Sequence, residues 1–304
     1  MAPDRGPGAA GRPARRGYAV HSYAFVLPTL LTVALIIGFP LLYAVFMSFT
    51  DMSIGTPGTW VGLDNFRYWL QSATYQRAAI NTVVIVVVSI ALKAVVGTAL
   101  AAMLSRRFVG RGFVRTLLML PWAVPAFVAF LVWKSLYLPL GGGINLLLSQ
   151  LGFGGLRIDW LGTPNTAIVS VIIATVWHGF PFWLVSILAV MQTIPRELYE
   201  AVELDGANRW QAFWHVTLPG ITGVLTMCAL LSTIWTANTF ENVWLLTGGG
   251  PADSTIIFPV LTFIALQTQR LGEAAAVPVS LVPVFLLFLW VTISRLEKHR
   301  QARG

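Results

Sequence analysis

The sequence predicts an all-α, polytopic membrane protein with six transmembrane helices, and three observations carry that reading. Of its 304 residues, 56% are hydrophobic and only 11% charged, with a mean hydropathy of +0.74, far too apolar for a soluble domain of this length. Six apolar runs, at about 23–49, 79–104, 113–137, 166–191, 220–246 and 276–294, each approach or exceed the roughly 20 residues that cross a bilayer core. The basic residues gather in alternate connecting segments.

The net charge of +8 would point a soluble protein toward nucleic acid. Here the bases flank apolar runs, so lipid headgroups and topology account for them, and no nucleic-acid partner is expected. Cys228 is the single cysteine and lies inside an apolar run, which excludes an intrachain disulfide and makes it a small core residue. Four scattered histidines without a Cys/His cluster predict no metal site.

In chain order, residues 1–20 are rich in Gly, Pro, Ala and Arg and read as a disordered basic arm. The first run is too long for a signal-peptide core and is expected to be a retained span, bent by Pro28 and Pro40. The third run holds Pro121 and Pro125, and the fourth His178, Gly179 and Pro181, so both are expected to kink or unwind near mid-membrane, where such breaks line cavities. Residues 21–298 then form the membrane domain and 299–304 a short tail. With a cytoplasmic N-terminus, fourteen Lys and Arg fall on inside segments and four outside, which predicts that both termini are cytoplasmic. The outside segments, about 50–78, 138–165 and 247–275, carry turn clusters such as LPLGGGIN and TGGGPADS, with room for short interfacial helices. Neither GxxxxGK[ST] nor GxGxxG occurs between a strand and a helix, so no nucleotide site is expected on this chain.

Three polar features stand out. Glu200 to Pro219 reads as a short amphipathic helix: carboxylates at Glu197, Glu200, Glu203 and Asp205 favour a helix N-terminus, and Leu198, Ala201, Val202 and Leu204 make an apolar stripe. Gly206 and Ala207 remove side-chain bulk, and Pro219 is expected to end the helix, leaving either a docking element for a soluble partner or a solvated loop. Lys93, near the middle of the second run, either faces the bundle or snorkels to the headgroups. The end of the fifth run, LLSTIWTANTFENVWLLT, places Ser232, Thr236, Thr239 and Val243 on one helical face and Trp235, Asn238 and Asn242 on its neighbour, with Glu241 as a strong acceptor. Hydroxyls, amides and aromatic rings suit a polyhydroxylated solute, and they equally suit hydrogen bonds between spans.

These residues also carry a resemblance. Residues 23–295 resemble the permease subunits of binding-protein-dependent carbohydrate ABC importers. Glu200, Ala201, Asp205, Gly206, Ala207, Phe213, Leu218 and Pro219 match the family's cytoplasmic EAAxxDGAxxxxxFxxIxLP motif, with Val202 and Val216 in place of Ala and Ile. FPLLYAVFMSFTD, VGLDNF, RGFVRTLLMLPWAVP and LLTGGGP agree elsewhere. The resemblance implies a type I importer permease fold in a bacterial cell membrane, with a coupling helix at about 196–209 that docks on a cytoplasmic ATPase through Glu200 and Gly206. It implies a second homologous permease, two ATPase subunits binding ATP and Mg, an extracytoplasmic sugar-binding protein, no cofactor on this chain, and a disaccharide solute with trehalose a candidate. Solute contacts then fall, by position, on Gly179, Phe182, Ser232, Thr236 and Thr239, to which the residue pattern adds Asn238 and Glu241. The family's Tyr is Phe182 here and two Asn are Thr236 and Thr239, so maltose is not inherited as the solute. A membrane-embedded sugar transferase would need convergent carboxylates or histidines where the spans offer Glu241 and His178, and a proton-coupled carrier would need a relay for which Lys93 alone is thin support.

Overall fold

The computed structural model describes residues 26–155, 157–287 and 290, and within them the chain is helical. The basic arm at 1–20 and the tail at 299–304 lie outside the described residues. Helix α1, Val26–Ser48, is the first span, and its apolar surface is left almost wholly exposed. It does not break at its prolines. The turn Ala34–Gly38 widens, with Phe39 N–H donating to Ala34 O, and so accommodates the ring of Pro40 against the preceding turn.

Helix α2, Asp64–Gln71, is short and amphipathic, and ties two segments together. Asn65 Nδ2 donates to Ser48 O (2.9 Å) and Thr50 O (2.8 Å), and Trp69 Nε1 donates to Glu273 O at 2.7 Å. Helix α3, Ala73–Ser105, is the longest span, and α4, Arg111–Ala123, with α5, Ala126–Leu136, forms a pair bent by 95°. The break expected in this run falls at Pro125, with Val124 extended, as a residue before proline prefers, while Pro121 stays inside α4. Helix α6 is Gly143–Leu148, and α7 spans Pro164–Met191, capped by the Thr163 hydroxyl accepting from Thr166 N–H. Of the kink or unwinding expected at His178–Pro181, the unwinding does not occur: Pro181 is buried inside a continuous helix.

Helix α8, Arg196–Leu204, is followed by α9, Arg209–Asn238, then α10, Glu241–Leu246, α11, Phe258–Gln267, and α12, Leu271–Leu287. Two expectations are corrected in this stretch. Pro219 does not end a helix: it lies inside α9, two residues after a second widened turn, Phe213–Thr217. The fifth run is not one span to 246, since helical geometry stops at Asn238, Thr239 is extended, and α10 is a separate helix. The sixth run, expected at 276–294, is described as far as Leu287 plus Trp290. Among the described residues four helices are long and apolar enough to cross a bilayer, and the bent α4–α5 pair is a fifth when counted as one span.

α3 and α7 make the most extensive contact in the bundle, with α9 packed against both and α12 against α1 and α2. Gly97 sets their approach: a Cβ there would lie 2.6 Å from Trp183 Cβ. Two cores result. One gathers Trp69, Tyr75, Tyr137, Val171, Phe258 and Leu261. The other gathers Leu104, Trp183, Leu184, Ile187, Ile221 and Cys228. The third outside segment is thus more than turns, because α11 buries Phe258, Val260, Leu261 and Ala265 in the first core.

Candidate functional site

Between the two cores, where α3, the α4–α5 bend, α7 and α9 converge, lies a cavity of about 220 Å³. Along α7 it falls between the Ala174–Val176 stretch of one core and Trp183–Ile187 of the other. Its wall is aromatic. The Phe182 ring sits edge-on to Trp235 (centroids 5.1 Å) and tilted to Trp122 (6.4 Å), and the Phe130 ring lies 5.6 Å from that of His178. Trp122 and Ala126 reach it because the chain breaks at Val124–Pro125, and His178 Nε2 donates to the freed Val124 carbonyl at 3.4 Å.

Six of the seven sequence-predicted contact residues line this cavity: Gly179, Phe182, Ser232, Thr236, Thr239 and Glu241. Asn238 does not. Its Nδ2 donates to Ile234 O at 2.8 Å, and it borders a separate, apolar cavity with Phe240, Phe258 and Phe263. Asn238 is the last residue of α9 and keeps the neighbouring helical face read for it, away from that of Ser232 and Thr236. Ser232 Oγ accepts from Trp183 Nε1 at 2.8 Å, and Asn242, fully buried, donates to Thr175 Oγ1 at 3.0 Å and accepts from Val243 N–H at 2.8 Å. Asn242 therefore serves helix packing, while Thr236, Thr239 and Glu241 line the cavity, the Thr239 hydroxyl donating to Trp235 O at 2.7 Å. Lys93, 4% exposed, faces the bundle and does not snorkel; its Nζ donates to Thr236 Oγ1 at 3.1 Å. Sequence reasoning missed Trp122, Phe130 and Thr175 as wall residues, although the proline pair beside Trp122 marked the break that admits it.

A second region lies at the α8 end of the bundle. α8 buries no residue; Leu204 is 90% exposed and Trp210 67%. Its C-terminus is a Schellman turn: Ala207 N–H donates to Val202 O (3.0 Å), Gly206 N–H donates to Glu203 O (3.1 Å), and Gly206 has φ +79°. A Cβ on Gly206 would meet nothing within 4 Å, so what this chain demands of the residue is backbone handedness and what the open surface offers is space. Asn208 then starts α9 with a capping box, its Oδ1 accepting from Gln211 N–H (2.9 Å) and its N–H donating to Gln211 Oε1 (2.7 Å). Ala201 and Asp205, the other motif residues, are exposed, and Ala207 is half-buried. Glu200 borders a cleft of about 1020 Å³ with Glu203 and the arginines 106, 107, 111, 115, 196 and 209, and forms no ion pair there.

A family model described as the binding-protein-dependent transport system inner membrane component matches residues 93–296. The chain belongs to that family. It is 33% identical, over 92% of its length and 94% of the relative's, to the trehalose/maltose transport system permease protein of Thermococcus litoralis. It is 31% identical to the diacetylchitobiose uptake system permease protein of Streptomyces coelicolor, over 92% of this chain and 87% of that one. Its fold matches a chain in the crystal structure of a bacterial ABC transporter involved in import of the acidic polysaccharide alginate, with a TM-score of 0.79 at 24% identity, covering 93% of this chain and 96% of the other. As an inner membrane component of a binding-protein-dependent transport system, the chain is a multi-pass permease that works with a binding protein. It is not an enzyme: ATP hydrolysis belongs to a separate ATPase subunit, and the permease family carries no cofactor. Among the described residues no three His, Cys, Asp or Glu side chains converge as a metal would require.

Proposed function

We propose that this chain is one of two homologous permease subunits of an ATP-driven importer of a disaccharide, with trehalose the first candidate. The observation that carries the proposal is the mid-bundle cavity, whose aromatic wall and hydroxyl groups match the apolar faces and hydroxyls of a sugar ring. At about 220 Å³ the cavity falls below the roughly 300–1,000 Å³ usual for small-molecule sites. A second permease facing the exposed surfaces of this one would complete it. The sugars in the names of the Thermococcus and Streptomyces relatives support the solute class.

Both termini and α8 face the cytoplasm in this proposal, as the distribution of Lys and Arg favours. α8 is the coupling helix. Glu200, Ala201, Asp205, Gly206 and Ala207 dock it on one of two ATPase subunits, each binding ATP and Mg, and an extracytoplasmic sugar-binding protein delivers solute to the opposite end. Closure of the ATPase pair on nucleotide draws the coupling helices together, and the spans turn their shared cavity outward.

Gly206→Trp tests the docking claim when read against Gly206→Ala, which bears the same left-handed strain without the bulk: the indole would project into open space here but into the partner's cleft in the complex. The expected result is loss of uptake and of transport-coupled ATP hydrolysis, with the two permeases still assembling. Normal uptake by the tryptophan variant overturns it. Competition of labelled trehalose uptake by unlabelled disaccharides tests the solute.

A further inference from the structure

The role of Lys93 is not explained by packing. Its ammonium group carries three N–H donors, and a single acceptor, Thr236 Oγ1 at 3.1 Å, is within reach. The ion pairs among the described residues are Arg67–Asp64 and Arg270–Glu273, so no carboxylate neutralises it at close range. Yet the side chain is 4% exposed, deep in a span, where a charge costs several kcal/mol unless its environment is built for it. Gly179 supplies part of that environment: a Cβ there would lie 2.7 Å from Lys93 Cε and 3.0 Å from Nζ, so the lysine occupies space that only glycine leaves.

We propose that Lys93 is a solute-contacting residue, donating from its free N–H groups to a hydroxyl or ring oxygen of a neutral sugar held in the α3–α7–α9 cavity. The inference rests on the sugar-importer reading above and adds a residue and a charge rule to it. Glu241 borders the same cavity and forms no ion pair with Lys93, so the formal charges of the lining cancel while a donor and an acceptor remain apart. A neutral polyol satisfies both, since each hydroxyl can accept from the ammonium or donate to the carboxylate. A uronate or sulfonate would satisfy Lys93 and meet Glu241 as a like charge.

The test pairs variants with solutes on the whole importer, binding protein and ATPase included, in proteoliposomes. Uptake of labelled trehalose and of its single-deoxy analogues is measured for wild type, Lys93→Gln and Lys93→Met. Because the binding protein's own preferences are common to all three, they cancel in the ratios. For the wild type, one analogue should be penalised by about tenfold, as loss of a charge-assisted hydrogen bond requires. That penalty should vanish in Lys93→Met and persist in part in Lys93→Gln, whose amide still donates. Should the methionine variant fail to co-purify with its partners, the glutamine variant carries the comparison. Analogue ratios that stay within about twofold of wild type in both variants overturn the proposal. If wild type does not take up trehalose, that refutes the named sugar alone, and the series is rebuilt on the neutral disaccharide it does take up. Uptake confined to acidic sugars overturns the inference itself.

Discussion

At the scale of single residues, the described part of the fold leans on a few side chains that bind backbone carbonyls far away in sequence. Asn81, on α3, donates from Nδ2 to Asp253 O at 2.9 Å and Ile256 O at 3.1 Å, which pins the turn before α11 onto a span. Asn81→Leu removes both donors and leaves a buried carbonyl without a partner, at a cost of about 1–3 kcal/mol. The melting temperature of the purified complex should fall accordingly, and an unchanged value would contradict this account. Asp51 makes a pH-dependent counterpart outside the spans. The backbone N–H and the hydroxyl of Thr59 both donate to its carboxylate, and these bonds hold its pKa below the usual 3.8. A depressed carboxylate pKa contributes stability above the unfolded value that is lost as pH falls through the folded one. On acidification the midpoint of the Thr59 amide shift should therefore fall below 3.8, and a midpoint at or above it would contradict the pairing.

At the scale of elements, the governing contact is α3 against α7. Gly97→Val would force its branched side chain into Trp183 Cβ, 2.6 Å from where a Cβ begins, and overpacking of this kind costs about 1–3 kcal/mol. Thermal unfolding in detergent should report the loss; a melting temperature equal to wild type would mean that the helices part without cost. Prolines show where sequence reading of elements succeeds and where it stops. Pro125 breaks a run as expected, whereas Pro121 lies inside α4, and Pro40 and Pro219 sit inside continuous helices, each after a widened turn. Whether a turn can widen depends on what packs outside it, and a local pattern does not contain that information. The same reason separates Asn238 from Thr239: each face of the fifth run was legible while the helix lasted, and the stop at Asn238 was not. α11 was invisible for another reason. Its ten residues are too few for a span, and its burial is supplied by residues such as Ala78 and Ile85, about 180 positions earlier in the chain.

At the scale of the whole molecule, the apolar runs were enough to read an all-helical membrane protein, because bilayer thickness acts on every stretch alike, whereas the permease family was legible only in the Glu200–Pro219 motif and the blocks that accompany it. The cavity required more: α7 and α9 announced themselves by composition, the α4–α5 bend by a proline and α3 by Lys93, but which faces converge, and that Trp122, Phe130 and Thr175 join the wall, was not local information. Large faces remain uncovered within this chain, α1 above all, and α8 with the tryptophans at the start of α9. Lipid can cover the first, and in the function proposed above protein partners cover the second. Co-expression with the second permease and the ATPase should raise the monodisperse fraction on size exclusion above that of the chain expressed alone, and an equal fraction would mean that these faces need no protein partner.

The continuity of α9 has a mechanical meaning. Its thirty residues make a strut about 45 Å long, with Arg209 beside the exposed α8 and Thr236 at the cavity. Tilting such a strut by about 5° about its midpoint carries each end through about 2 Å in opposite senses. A push at one end thus becomes a comparable stroke at the other with no wire of residues between them, and the widened turn at Phe213–Thr217 is the place where the strut can flex and lose part of that stroke.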